Sequence, residues 1–553
     1  MRDPKTVKMF RLLDKDIAQF AQKVYSSGKY EKTPFVPTEA NRRIAQAEID
    51  ALTGRVQALA SGCDDPVYDV LRGHFTDFID AIKLHIDNCY ENPGRTLYGL
   101  GGRLYGLCGM DYRADALRAD ILMARMKAAP MFWHDGISPM LNSLSPEKAQ
   151  NVLVGLTQAV ETMGYIKPKL AEFFKGLPES QIAEILSAID GYLENLNSHI
   201  DDTRKIIEEK GGAPKSVVKA DDEVLSVTRE EYRNALKNHI GVDLDELLSW
   251  YEDENAKTRA ESLELANKLK PPVKSTSEVN DVLFKYAGPC DTPEEMFARA
   301  NTYLKRTRAA AHEYVWLPED EICECVPIPE MLKDSYPWGG YSGDYPSRYP
   351  LYHVMFLNNH NYTAVTDGWI KLNTLHEAYP GHHVQFIRAS IDPIPETFKR
   401  GAKYIPLIEG VCMRTERVFE FVFAEDPFYP LMVTHRRHHT STRIKVDLWL
   451  HYFGKTIGEA CDLYEKEMGF DRKTARAQVQ AHENMMGYFT SYYYGLKKLC
   501  DWEKEYGWDK REYTELLFSV GRVSLETFEK ILKLSPQDRH SLQHDFASLI
   551  QFS

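Results

Sequence analysis

The chain has 553 residues, 43% of them hydrophobic and 27% charged. That is a globular balance and excludes disorder or a collagen-like chain. Acidic residues outnumber basic ones by 81 to 68, a net charge of −13, which argues against nucleic acid or an anionic membrane as the main partner.

No run of 18 uncharged apolar residues occurs, so no membrane span is expected. The opening MRDPKTVKMFRLLDKD lacks the apolar core of a secretory signal. Nine cysteines without a CxxC pair read as reduced thiols, and a cytoplasmic protein is expected.

Apolar residues recur at helical spacing over 38–61, 67–89, 112–128, 147–175, 179–210 and 229–269. Thr228 with Glu231, and Thr292 with Glu295, have the spacing of capping boxes, and Pro293 suits a first helical position. The Gly-rich segment 94–106 lacks the Lys-Ser/Thr ending of a phosphate loop and reads as a packing turn. Residues 127–131, with Pro130, read as a helix stop, and 270–273, with Pro271 and Pro272, as a linker or sharp turn. A long irregular segment is expected over 326–350, followed by a strand at 351–356. After 366 the helical pattern resumes to the end. The expectation is a mainly α protein with a small β-sheet, divided into regions 1–270 and 271–553.

The chemistry is concentrated in Thr-Leu-His-Glu-Ala-Tyr-Pro-Gly-His-His-Val-Gln, 374–385. A His followed at once by Glu, with further His one to two turns on, is the kind of pattern by which helical zinc peptidases hold their metal. His376 is the first ligand, and Glu377 stands where a general base is needed. The second imidazole is open between His382 and His383. On a straight helix, +7 returns to within about 20° of the first face and +6 lies about 120° away, favouring His383. Pro380, four residues after His376, breaks that helix, and an opened turn would bring in His382. A third ligand is expected from Ile-Pro-Leu-Ile-Glu-Gly-Val-Cys-Met-Arg-Thr-Glu, 405–416, where an apolar run buries Glu409 and Glu416 lies two turns on. Arg443, Asp447 and His451 share one helix face, and either Arg443 or His451 could hold a substrate carboxylate. The run 435–439, His-Arg-Arg-His-His, reads as a solvated basic patch.

These segments, with Thr-Arg-Ile-Lys-Val-Asp-Leu-Trp-Leu-His at 442–451 and Ser-Tyr-Tyr-Tyr-Gly at 491–495, resemble the successive signatures of the bacterial domain-of-unknown-function 885 family. Its members are regarded as zinc-dependent metallopeptidases similar to thimet oligopeptidase, angiotensin-converting enzyme and the thermostable carboxypeptidases. The resemblance implies a two-lobed, zincin-like helical fold, with a small sheet near the active site and a deep channel. It implies His376, His382 and Glu409 as metal ligands and Glu377 as general base. Tyr492 would be the oxyanion donor, and Glu416, Asp447 and His383 would lie behind the ligands. Departures from the family pattern occur at Val411-Cys412, at Met486-Gly487-Tyr488 and at Thr514.

The expected activity is hydrolysis of amide bonds in short peptides by a zinc-activated water, of carboxypeptidase or oligopeptidase type. The alternatives are the same site acting on a non-peptide amide or another small C–N or C–O substrate, and a catalytically silent binding protein. Other divalent transition metals suit two imidazoles and a carboxylate. Neither nucleic acid nor a membrane is expected as partner, and the sequence does not indicate an oligomeric state.

Overall fold

Most of the apolar stripes become helices in the structure, a computed structural model that describes residues 2–60, 64–214, 219–333, 336–343 and 351–550. The chain folds into two compact units. One comprises Met1–Arg11, Asp64–Asp77 and Val218–Ser553; the other comprises Leu12–Cys63 and Phe78–Val217. The boundaries between the units therefore fall at 11/12, 63/64, 77/78 and 217/218, and not at 270. Pro271 and Pro272 instead form a turn between helices Leu244–Leu269 and Thr276–Tyr286. Ala266, Val273, Val279 and Leu283, on and between those helices, share one core, so the turn is tied down on both sides.

In the smaller unit, helix Pro146–Ile166 packs against helix Glu179–Glu209. The Gly-rich segment forms the 3-10 turn Pro93–Leu100 and helix Gly102–Gly109, both against Pro146–Ile166. Helix Asp115–Met131 ends at the Pro130 signal, but the chain continues through a π turn, Phe132–Ile137, before the next helical turn.

In the larger unit the stripe at 229–269 is cut by Gly241, whose φ of +86° is left-handed. Helix Arg229–Ala235 precedes it, opened by a complete capping box of Thr228 and Glu231. Helix Leu244–Leu269 follows, capped by Asp243. Thr292 caps helix Pro293–Ala311, although the reaching carboxylate of Glu295 accepts from Asp291 rather than from Thr292 itself.

Three strands form one sheet in the order β1-β3-β2: β1 is Ile322–Pro327, β2 Gly339–Ser342 and β3 Tyr352–Leu357. β3 runs parallel to β1 and antiparallel to β2. The stretch expected to be irregular thus contains the end of β1 and all of β2. Gly and Pro punctuation hides β2 in the sequence, and 334–335 and 344–350 lie outside the described residues.

Helix Tyr429–His451 is surrounded by protein on nearly every side. The 435–439 run is accordingly not a solvated patch: His435, Arg436, His438 and His439 are buried. Helix Leu244–Leu269 meets it through a polar ladder, Asn255 to Ser441 (3.0 Å), Thr258 to Ser441 (2.9 Å) and to His438 Nδ1 (3.2 Å), and Ser262 to His435 Nδ1 (3.4 Å). These bonds satisfy side chains whose burial would otherwise be costly.

Candidate metal centre

The break that Pro380 forces is local. Helix Asp367–Asn373 passes into a π turn, Thr374–Ala378, which carries His376 and Glu377. The chain then reverses through Tyr379, Pro380 and Gly381, and a new helix starts at His382. Gly381 sits so close to the preceding turn that a Cβ there would lie 2.0 Å from the His376 carbonyl oxygen and 2.4 Å from that of Leu375. The backbone thus crosses itself, and this crossing turns His382 toward His376, with ring centroids 5.0 Å apart.

The third element is helix Ile405–Val418, which crosses helix Ser491–Glu505 where two glycines meet. A Cβ on Gly410 would lie 2.5 Å from the Gly495 carbonyl carbon, and one on Gly495 would lie 1.8 Å from the Pro406 oxygen. The close crossing brings Glu409, next to Gly410, alongside Tyr492, three residues before Gly495.

Three atoms converge here. Glu409 Oε2 lies 3.3 Å from His376 Nε2 and 3.5 Å from His382 Nε2. Glu409 is 5% exposed, and this oxygen is buried with no partner of hydrogen-bonding geometry. Its other oxygen accepts from Tyr488 Oη at 2.8 Å. Edges of this length fit a tetrahedral ion: bonds of about 2.0–2.1 Å give donor separations of about 3.3 Å. The remaining ring nitrogens are oriented from behind. His376 Nδ1 lies 2.7 Å from Glu416 Oε1, and His382 Nδ1 lies 2.9 Å from Gln385 Oε1. Gln385 is itself fixed by donating to the Ile408 carbonyl at 3.0 Å. Such outer partners set the tautomer and aim of a metal-binding imidazole.

The electrostatics agree with a cation-binding cluster. Burial works against a charged His376, but its contacts with Glu409 and Glu416 outweigh burial and push it up to about 10. Burial likewise disfavours ionised Glu409, yet His382 and His376 hold it well below the usual carboxylate range. Both shifts favour charged groups facing one another, an arrangement in which a divalent ion would displace the imidazole protons. Cys412 Sγ also comes within 3.4 Å of His382, but on the Nδ1 side. Burial pushes its thiol well above the usual value, yet donor atoms of Cys412, His376 and His382 lie within 4.8 Å of one another and form a second possible ligand set.

His383 points elsewhere. Its Nε2 lies 2.5 Å from the buried Glu321, which also accepts from Tyr379 Oη (2.7 Å) and Arg308 Nε (2.7 Å). The structure therefore brings together His376, His382 and Glu409, with Glu416 behind them, and turns His383 away.

These groups open on a cavity of about 750 Å³, lined by Glu377, Tyr492, Tyr488, Arg436 and Arg443, by Gly340 and Tyr341 of β2, and by Trp338 and Trp369. Tyr492 stacks on His376 at 6.3 Å, and its hydroxyl lies 3.1 Å from that of Tyr488. Arg443 lies over the Tyr492 ring at 5.4 Å and donates to Gln478 at 3.1 Å. Arg436 lies over the same ring at 5.7 Å. Both arginines are buried, each with an unpaired Nε and neither with a carboxylate partner among the described residues.

Asp447 does not pair with Arg443. It accepts from Tyr232 Oη (2.6 Å) and from the Gly487 backbone N–H (3.1 Å), and lies 2.7 Å from His482 Nδ1. Through Gly487 it anchors the turn that carries Tyr488. His451 is not among the residues lining the cavity. It stacks on Tyr232 at 5.5 Å, and its Nε2 lies 3.1 Å from the His482 carbonyl, so its surroundings are structural. Tyr493 and Tyr494 bond Glu254 and Glu246, away from the cavity.

Sequence reasoning assigns no role to Tyr488, Gln385 or Arg436. The first two carry a signal: Tyr488 lies one helical turn before Tyr492, and Gln385 three residues after His382. Arg436 is hidden by the polar look of its neighbours. No helix among the described residues is long and apolar enough to cross a membrane, and Cys89, Cys108, Cys290, Cys323, Cys325, Cys412, Cys461 and Cys500 are free thiols.

Two solved structures share the fold. "The putative lipoprotein from Colwellia psychrerythraea" superposes with a TM-score of 0.73 at 15% identity, covering 97% of this chain and 98% of that one. "A putative lipoprotein of unknown function from Shewanella oneidensis" superposes with a TM-score of 0.69 at 15% identity, covering 95% and 99%. No curated protein matches the chain in sequence. Residues 33–532 match the family described as "Bacterial protein of unknown function (DUF885)", and the chain belongs to that family.

Proposed function

We propose that the protein is a zinc-dependent hydrolase of amide bonds in short peptides, with one ion held by His376, His382 and Glu409. The observation that carries this reading is the buried, unpaired Glu409 Oε2 facing two imidazole nitrogens at tetrahedral-edge distances. Zinc in such a site supplies a Lewis acid and lowers the pKa of a bound water.

The chain's own residues have separate tasks. Glu377, half-buried at the cavity wall beside His376, takes the proton of the attacking water and passes it to the leaving amine. The Tyr492 hydroxyl is kept protonated, because burial and nearby Glu409 raise its pKa far above the usual value. It is therefore a donor for the charge that develops on the carbonyl oxygen. Arg443 and Arg436, both over the Tyr492 ring and neither with a carboxylate partner among the described residues, hold a free carboxylate of the substrate. That supports carboxypeptidase-type cleavage over internal cleavage. The zincin-like, two-lobed, channel-bearing plan implied by the family resemblance is part of the same proposal. So is a cytoplasmic location, which the free cysteines support.

The test is a panel of short peptides with free or amidated C-termini, assayed with zinc-loaded protein. Cleavage confined to free acids, and lost with Glu377→Ala while zinc stays bound, is expected. No cleavage of any peptide by zinc-loaded protein would turn the reading toward a non-peptide amide at the same site. Failure to bind zinc would overturn it and leave a binding protein.

A further inference from the structure

The smaller unit holds a cavity of its own, of about 390 Å³, to which the metal centre contributes no residue. Its walls include Tyr25, Phe35, Tyr98, Phe132 and Tyr192, together with Arg95, Arg103, Arg125 and His85, and among the described residues no acidic side chain lines it. Part of the wall comes from the Gly-rich segment 94–106, which the proposed reaction does not use.

The two inner guanidiniums are aimed by consecutive backbone carbonyls. Arg103 Nη1 donates to the Tyr25 oxygen and Arg125 Nη2 to the Ser26 oxygen, both at 2.7 Å. Ser26 holds a left-handed φ of +51°, which is unfavourable for a residue with a side chain. The turn is kept in place by its hydroxyl, which accepts from the Phe35 N–H at 2.9 Å. Strain held at a cavity wall is a recurrent mark of a binding site.

Arg125 is only 8% exposed, and among the described residues the Ser26 carbonyl is its one hydrogen-bond partner. No carboxylate pairs with it among the described residues. Glu31, the acid whose charge reaches it, is engaged with Arg113 at 2.7 Å. A buried guanidinium satisfied by one carbonyl is costly unless an anion completes it. His85 brings no charge of its own: burial, with Arg103 nearby, lowers it to about 4. Tyr25 packs against its ring at 4.6 Å, tilted by 55°, and extends the aromatic wall.

We propose that this cavity binds a small organic anion, with an acid group between Arg125 and Arg103 and a flat apolar body against Tyr25, Phe35 and Tyr192. The chemistry common to a carboxylate and a phosphate suits the guanidinium pair.

Calorimetric titration of the full-length protein, zinc-loaded and chelated, tests the proposal with benzoate, phenyl phosphate, inorganic phosphate and the uncharged benzyl alcohol. At least one aromatic anion is expected to bind with one-to-one stoichiometry, unchanged by chelation and by Arg443→Met, which separates it from the metal centre. The tighter of benzoate and phenyl phosphate identifies the acid group. Arg125→Met should weaken binding at least tenfold and Arg125→Lys less; Arg103→Met serves if Arg125→Met does not fold. Binding of neither aromatic anion would overturn the proposal. So would benzyl alcohol as tight as benzoate, binding abolished by chelation or by Arg443→Met, or binding unaffected by both Arg125→Met and Arg103→Met.

Discussion

The hydroxyl of Tyr488 donates to Glu409 Oε1 at 2.8 Å and thereby decides which oxygen of that carboxylate faces the two imidazoles. Without it the carboxylate can rotate and lose its aim. Tyr488→Phe is expected to keep the fold and to weaken zinc binding by about tenfold or more, the usual effect of removing such a support. Competition with a chelating dye measures it; unchanged affinity would show that Tyr488 does not hold Glu409.

The general-base role proposed for Glu377 separates binding from turnover. Glu377→Gln keeps the shape and removes the base. Zinc content should stay at one ion per chain while the rate falls by about 10²–10⁴-fold, the range for loss of a general base. Metal analysis beside peptide cleavage checks both halves.

The self-crossing at Gly381 leaves no room for a side chain. Gly381→Ala would place a Cβ 2.0 Å from a carbonyl oxygen of the π turn. The expected loss of stability is about 3 kcal/mol or more, at the upper end for overpacking. Because the clash lies in the backbone that joins His376 to His382, zinc binding should fall with it. Thermal denaturation and zinc titration of the same variant give the two readings.

Acid should destabilise the larger unit through its buried histidines. Burial lowers His74 to about 4 and His353 and His435 to about 3, while the unfolded chain takes those protons near 6.5. The unfolded state thus binds more protons between these values. Stability from these groups is full above about 6.5 and is lost as pH falls toward about 4. The melting temperature of chelated protein, followed from pH 7 to pH 4, should fall; chelation removes any contribution from metal release. A flat profile would contradict the assignment.

Much of the candidate centre is legible in the sequence because each part leaves a local mark. Pro380 cannot donate to the carbonyl four residues back, so the turn carrying His376 has to open. Glu409 follows an apolar run, and a carboxylate buried there needs a partner. Periodicity likewise gives most of the long helices of the smaller unit, and in the larger unit the stripe at 229–269. What the sequence does not show depends on the surroundings of a whole helix. Helix Tyr429–His451 is wrapped by protein and has no amphipathic stripe, so 435–439 looks solvated although its histidines meet Ser262, Thr258 and Glu467. Arg443, Asp447 and His451 do share a face, but His482 and Tyr232 take up Asp447 and His451, and those partners are remote in sequence. The glycine crossing at Gly410 and Gly495, which sets Glu409 beside Tyr492, is equally a pairing of distant segments.

Crystals grown with zinc and measured at its absorption edge test the central claim most directly. A single anomalous peak should lie about 2.0–2.2 Å from His376 Nε2, His382 Nε2 and Glu409 Oε2. No peak there, or a peak between His382 Nδ1 and Cys412 Sγ, would contradict it.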